Sequence, residues 1–506
     1  MLQLVAENVR TYLLGSPAGW VDWLSHRLRY PTNQLLLDDQ GNPLPPVPGE
    51  WDGWVRLVHQ PTTKPPWVPT GLLPHVCWYA QQTGVAYQVM DQRVKPELDI
   101  PEVQVQIPLW PHQQEGSGAL IRHGRGVIDM PPRGGKTRTL CAVQRNMSPR
   151  TLWIAPTDRI VRQTHRVIEG FFGPGYAYHQ VGGQVPEHVA RARVIVCTNA
   201  TASMLQDEVL ATRQAWIVDE VHHGASDQVR RLGERLPHVY YRWGATGTFF
   251  RSGLDELAMH ALLSNVVYRV TAGELLRLGY LVPVRAAILP LPVPRLRMAA
   301  RSTFHGGGHG TEGVHEHDVR NRVVSGVCAM LAARGRSVVC LVGTRRQGKI
   351  LRDLVRQQLP HPASPEDQQV EFVHGQVEDQ QVGQALDRFE QGRVRVLLGT
   401  TILGEGVDLP RADALVLARG EHAEVALTQA IYRVCTAYPG KSLSLLVDFE
   451  DDHHPRLREH ALARQAKYAQ EELFQTDRLS QLDHFPLWLD SLGVRDPRRP
   501  LGVPAL

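Results

Sequence analysis

Residues 126–137 read GVIDMPPRGGKT, an apolar strand that runs through a glycine-bearing loop into the start of a helix. A loop of that kind points backbone N–H groups, and the positive end of a helix, at phosphate oxygens. Gly134 and Gly135 permit close backbone approach. Lys136 has the reach to contact β- and γ-phosphates, and the Thr137 hydroxyl suits one position on Mg²⁺. A second apolar run, AWIVDEVHH at 215–223, ends in adjacent carboxylates. There Asp219 is placed to hold the Mg²⁺ from the other side, and Glu220 to orient or deprotonate an attacking water. Together the two segments imply that the chain binds a nucleoside triphosphate such as ATP with Mg²⁺ and hydrolyses it. The loop is irregular, since Met130 stands at the usual first glycine and Arg133 where glycine or serine is common.

Outward from these segments, strands and helices alternate. GVIDM, TLWIAP (151–156), RVIVCT (193–198), AWIVDE and HVYYRWG (238–244) form one series of apolar strand candidates. The series begins again with SVVCLVGT (337–344), VEFVHG (370–375), VRVLLGT (394–400), ADALVLA (412–418) and SLSLLVDF (442–449). Near-continuous apolar strands separated by helical segments imply parallel sheets covered on both faces. Two successive α/β sheets are therefore expected. Residues 1–100 differ, holding six of the 11 tryptophans (20, 23, 51, 54, 67, 78) and proline-rich stretches. A helix over 71–84 and a strand over 86–91 suggest a small α+β domain there. Clustered tryptophans read more readily as its core than as a base-stacking surface.

A chain of 506 residues is too long for one core. The expected division is 1–100, an accessory DNA- or partner-binding domain; 101–280 and 281–470, the two sheets; and 471–506, a C-terminal tail. No stretch approaches the roughly 20 apolar residues of a membrane helix, and MLQLVAENVR lacks the pattern of a secretory signal. Six scattered cysteines suit a reducing, cytoplasmic setting. Net charge is only +4, yet just six of 55 basic residues are lysine. Genome composition or phosphate contact by arginine would each account for that bias.

The order of motifs along the two sheets resembles that of a superfamily-2 DNA helicase, over roughly residues 70–470. WPHQ (110–113) is similar to the glutamine motif, making Gln113 an adenine reader. APTDRIVRQ (155–163) and VCTNA (196–200) resemble the segments that place Thr157, Arg159 and Thr198 near the nucleic-acid backbone. GATGT (244–248) looks like the coupling motif, with Thr246 and Thr248, and His222 would couple Glu220 to it. VGTRRQGKIL (342–351), VHGQV (373–377) and RFEQGRVRVLLGTTILGEGVDLP (388–410) continue the series. There the resemblance puts Thr401 on phosphate, and Gly406 and Asp408 toward the nucleotide. VDFEDDHHPRLREHALARQAKY (447–468) is similar to the closing segment of UvsW-type phage recombination helicases. More broadly the chain looks like the type III restriction and XPB-like repair group. The resemblance implies two tandem RecA-like parallel-sheet domains behind the small α+β N-terminal domain. It also implies an ATP-driven helicase or translocase that grips DNA by backbone contacts, without reading sequence, in recombination, repair or phage replication.

One motif breaks the pattern. QAIYRVCT (429–436) keeps Arg433 as a catalytic arginine, but Thr436 stands where the family has a second one, and Tyr432 replaces a glycine. Such an arginine is worth about 10³–10⁵ in rate. Arg411 or Arg419 could substitute, or a protein partner could supply the activating arginine. The second course fits a motor or switch subunit of a larger restriction or anti-phage complex. The histidines of 303–317 (305, 309, 315, 317) read as a loop in preference to a zinc site.

Overall fold

Strands that are apolar on both faces need cover on both, and the computed structural model supplies it twice. It describes residues 1–31, 54–102, 105–221, 227–247, 254–291, 314–360, 369–400, 403, 409–420, 430–453 and 455–495. The chain divides into two compact units, Met1–Val270 and Thr271–Leu506.

In the first unit, the N-terminal residues form a small mixed sheet from β1 (Leu2–Ala6), β2 (Arg10–Leu14), β5 (Trp67–Pro69) and β6 (Tyr87–Asp91), ordered β5-β2-β1-β6. β3 (Arg29–Pro31) and β4 (Trp54–Arg56) pair separately. Leu2, Leu4, Leu13, Trp20, Leu24, Val68 and Val76 make its core. Trp20 thus serves packing, as expected, while Trp78 is 53% exposed.

The large sheet of this unit comprises β7 (Arg125–Asp129), β8 (Thr151–Ala155), β9 (Ala177–His179), β10 (Val194–Thr198), β11 (Ala215–Val218), β12 (Tyr241–Thr246) and β13 (Val266–Arg269). All pairs are parallel, in the order β13-β7-β12-β11-β8-β10-β9. β7, β8, β11 and β12 are buried at every position, which is why their sequences lack polar alternation. The order sets the carboxyl ends of β7, β12 and β11 side by side.

The small sheet is bolted to the large one. Arg125 Nη2 donates to Asn8 O at 2.6 Å, and its Nε to Tyr240 O at 3.0 Å. Ala261, from the helix Leu254–Leu263, enters the small sheet's core. Gly71 is required at this seam, since a Cβ there would lie 2.0 Å from His260 O.

The second unit has β14 (Val284–Pro290), β15 (Val338–Leu341), β16 (Val370–Val373), β17 (Val396–Gly399), β18 (Ala414–Leu417), β19 (Ser444–Glu450) and β20 (Phe474–Arg478). This sheet is also parallel, in the order β16-β17-β15-β18-β19-β14-β20. Two RecA-like sheets with a small N-terminal domain are thus the fold. The last segment, expected as a tail from 471, instead adds β20 beside β14 and sends Phe485, Trp488, Leu489 and Val494 into the second core. Among the described residues no helix is long and apolar enough to cross a membrane.

The seam between small and large sheets carries a pH dependence. His260 Nδ1 lies 3.2 Å from His75 Nε2. Burial, reinforced by the His75 charge, lowers His260 from 6.5 to about 4. Because the folded value lies below the unfolded one, the contribution of neutral His260 to the seam is fully present above pH 6.5 and is lost as pH falls through about 4. The urea midpoint of the first unit should therefore drop across that window, and His260→Gln should flatten the drop; equal pH profiles would contradict it.

Candidate active site

The loop after β7 is shaped by its neighbours. Met130 N–H donates to Thr246 O at 3.0 Å, tying the loop to the end of β12, and Gly134 N–H closes a turn on Pro131 O at 2.9 Å. Gly135 adopts φ 84° and opens the helix Lys136–Met147. A Cβ on Gly135 would lie 2.0 Å from Gln113 Nε2, so the glutamine side chain roofs the loop. Gln113 Nε2 donates to Gly134 O at 3.1 Å, and its Oε1 accepts from Trp110 N–H at 3.1 Å. His112 Nε2 lies 2.8 Å from the same Gly134 carbonyl. A carbonyl can only accept, so that histidine carries its proton on Nε2.

Arg133 sits in the same loop at φ 74°. The left-handed region costs an L-residue roughly 1–2 kcal/mol, so the surrounding turn holds a conformation better suited to glycine. Glu220 is likewise at φ 47°.

Lys136 Nζ and Glu220 Oε1 meet at 3.2 Å. The two residues are 84 positions apart in sequence and are joined by the adjacency of the β7, β12 and β11 ends. Asp219 is buried and accepts from Glu220 N–H at 2.9 Å. Burial, then the Glu220 charge, push its carboxyl upward, while the Lys136 ammonium pulls it down. Gly247, in the coupling motif, borders the ammonium: a Cβ there would lie 2.4 Å from Lys136 Nζ. Glycine is favoured at 135 by its positive φ, and at 247 a side chain would displace the Lys136 ammonium. The carboxylate of Asp219 and the hydroxyl of Thr137 are hard oxygen donors of the kind Mg²⁺ takes, and the cradle at Gly135 and Gly247 suits a phosphate chain. The residues present fit a Mg²⁺-bound triphosphate.

The remaining expected residues are placed unevenly. Thr157 follows β8 and Thr198 ends β10, and the two hydroxyls cap helices, accepting from Ile160 N–H at 3.4 Å and Thr201 N–H at 3.2 Å respectively. Arg159 lies in the first turn after Thr157. Thr246 ends β12 and is fully buried. In the second unit Arg433 donates to Leu403 O. Thr436 bridges to Leu281, and its hydroxyl donates to Arg433 O at 3.4 Å. Arg411 precedes β18 and donates to Glu390 O at 3.3 Å, whereas Arg419 follows β18 at its carboxyl end. His222, Thr248, Thr401, Gly406, Asp408, His305 and His309 lie outside the described residues. His315 is buried, and His317 caps the helix Asp318–Ala333. Among the described residues no cluster of three or more His, Cys, Asp or Glu is arranged to hold a metal. Sequence reasoning overlooked His112 and Gly247, although both stand inside motifs it had singled out.

The chain matches two family models in succession: "Type III restriction enzyme, res subunit" over residues 106–251 and "Helicase conserved C-terminal domain" over 322–437. A Haloarcula marismortui protein described as a candidate DNA 3'-5' helicase, Rad25, is 24% identical over 352 residues, covering 66% of this chain and 51% of that protein. The DNA 3'-5' translocase XPB2 of Sulfurisphaera tokodaii is 27% identical over 188 residues, covering 37% and 41%. The chain therefore spans about half the length of the curated relatives it matches. Among solved structures, the ATP-dependent Type ISP restriction-modification enzyme LlaBIII bound to DNA superposes with a TM-score of 0.53 at 13% identity, covering 83% of this chain and 37% of that one. That last likeness concerns the fold alone.

Met130 tests whether the loop's irregularity is structural. Its side chain is fully buried, with Cε filling the space a Cβ on Gly116 would need and Sδ 3.8 Å from Thr139 Oγ1. Met130→Gly restores the common loop pattern, yet should destabilise the first unit by about 3 kcal/mol through the cavity it leaves. Denaturant unfolding measures this; unchanged stability would contradict it.

Proposed function

The chain belongs to the superfamily-2 helicases, and on that premise we propose that it is an ATP hydrolase that drives movement along DNA. The observation that carries the reading is the 3.2 Å approach of Lys136 to Glu220 at one sheet edge, beside a glycine cradle that accepts phosphate. In this reading Lys136 binds the β- and γ-phosphates, and the loop at Gly134 and Gly135 lies against the remainder of the phosphate chain. Glu220 orients the attacking water and takes its proton. Thr137 and Asp219 would hold Mg²⁺, which when bound neutralises charge on the phosphates. Gln113 reads the adenine, and Gly406 and Asp408 are further nucleotide-binding residues of the proposal. Arg433 is a catalytic arginine in this reading. Thr157, Arg159, Thr198 and Thr401 contact the DNA backbone, and Thr246, Thr248 and His222 couple the two ligands.

DNA is the proposed polymer because both curated relatives are named for it, and their names also make 3'-5' the proposed direction. Branched or duplex DNA in recombination, repair or phage replication is the proposed setting. The N-terminal sheet, riding on the first unit through Arg125 and Asn8, would add a further contact to DNA or to a partner.

Thr436 favours a second reading, a motor or switch subunit of a larger restriction or anti-phage assembly whose partner supplies the missing arginine. One experiment separates the two: ATP turnover with no polynucleotide, single-stranded DNA, duplex, forked DNA and RNA. The first reading expects strong stimulation by forks; absence of stimulation by any polymer favours the assembly. Either way, intrinsic turnover should be weak, and Thr436→Arg should raise it several-fold. Vigorous turnover by the wild type that Thr436→Arg leaves unchanged would refute the arginine deficit.

A further inference from the structure

In the second sheet β15 and β18 are neighbours, but the chain leaves β15 toward β16 on one side and leaves β18 toward β19 on the other. Where connections diverge in that way, an open parallel sheet has a crevice at the carboxyl ends of its strands, and its ligands bind there. Two buried guanidinium groups lie under this crevice. Arg320, from the helix Asp318–Ala333, donates Nε to Asp451 Oδ1 at 2.8 Å and Nη2 to Oδ2 at 3.2 Å. Arg464, from the helix Pro455–Gln470, donates Nε and Nη2 to the two oxygens of Asp448, both at 2.9 Å. Tyr468 Oη adds a donor to Asp448 at 2.8 Å.

Buried ion pairs rarely add stability over well-packed apolar side chains, so stability alone gives no reason for two of them in one place. Their shared feature is the donor left over. Arg320 Nη1 donates to Ala418 O at 2.5 Å, and Arg464 Nη1 to Gly420 O at 2.9 Å. Gln347, from the helix Arg345–Gln358, gives Ala418 O a second donor at 2.9 Å while accepting from Gly343 N–H at 2.8 Å. Side chains from three helices thus fix the carbonyls on both sides of one residue, Arg419, which is half-buried at the exit of β18. Gly420 completes the clamp, since a Cβ there would lie 2.9 Å from Val314 and 3.3 Å from Asp451 Oδ2.

We infer that Arg419 is a phosphate-contacting residue of the second unit, and that Arg320, Arg464 and Gln347 are positioning residues that hold its main chain. The inference rests on the helicase reading above. Holding the main chain fixes where the side chain begins, and a planar guanidinium loses less freedom per hydrogen bond to a phosphate than an ammonium does. The phosphate could belong to a polynucleotide backbone or to the nucleotide, and one experiment distinguishes them.

Wild type, Arg419→Ala, Arg419→Lys and Arg464→Met, each as the full chain, would be compared in affinity for a fluorescent single-stranded DNA across a salt series, and in ATP turnover at saturating nucleotide. If the phosphate is in the polynucleotide, Arg419→Ala lowers the slope of log affinity against log salt by about 0.7, and Arg419→Lys retains the slope. If it is in the nucleotide, the slope holds and turnover falls at least about tenfold. Arg464→Met, with unfolding checked separately, should move the same readout in the same direction by a smaller factor. Arg419→Ala matching wild type in both slope and turnover overturns the inference alone. A wild type that neither binds DNA nor hydrolyses ATP overturns the helicase reading, and the inference with it.

Discussion

The contact between Lys136 and Glu220 depends on three strands ending together. β7 leads into the glycine loop, β11 into the two carboxylates, and β12 lies between them and leads into Gly247, which borders the lysine. Parallel order makes the convergence possible, because every strand then finishes at the same edge. Burial makes it rigid, since β7, β11 and β12 are enclosed along their whole length. The loop itself depends on that enclosure: Met130 anchors its first residue in the core, and the Gln113 and His112 side chains hold Gly134 from above. Departures from the common loop sequence are absorbed by packing and leave the lysine in place.

The two units use buried charge in different ways. In the first, Arg125 joins the small N-terminal sheet to the large one through main-chain carbonyls. In the second, Arg320 and Arg464 are neutralised by Asp451 and Asp448 and direct their remaining donors at the chain leaving β18. In each case guanidinium groups fix backbone that the regular ladders of the sheets do not reach. That use suits arginine, whose five donors can satisfy a carboxylate and a carbonyl at once.

Much of this fold was legible in the sequence, because strands buried on both faces announce themselves as continuous apolar runs. TLWIA and AWIV could hardly be anything else. β20, by contrast, reads FQTDR; as an edge strand half open to water it carries no such signal, and its assignment needs β14 as a neighbour. The glycine loop and the paired carboxylates stand out in the sequence because the chemistry they suggest restricts residue type at short spacing. The clamp around Arg419 was hidden for the opposite reason. Its partners Arg320 and Asp451 are 131 residues apart, and only the strand order brings them together. Thr157 and Thr198 were singled out only through the resemblance of APTDRIVRQ and VCTNA to helicase motifs, and their helix-capping bonds emerged only with the backbone geometry.

The central claim is that the lysine and the glutamate that meet at the sheet edge do separate jobs on one nucleotide. Parallel titrations of ATP binding and measurements of turnover on Lys136→Ala and Glu220→Gln test it most directly. Loss of ATP affinity in the first variant, with retained affinity and abolished hydrolysis in the second, is the predicted result. Wild-type binding and turnover in both variants would contradict it.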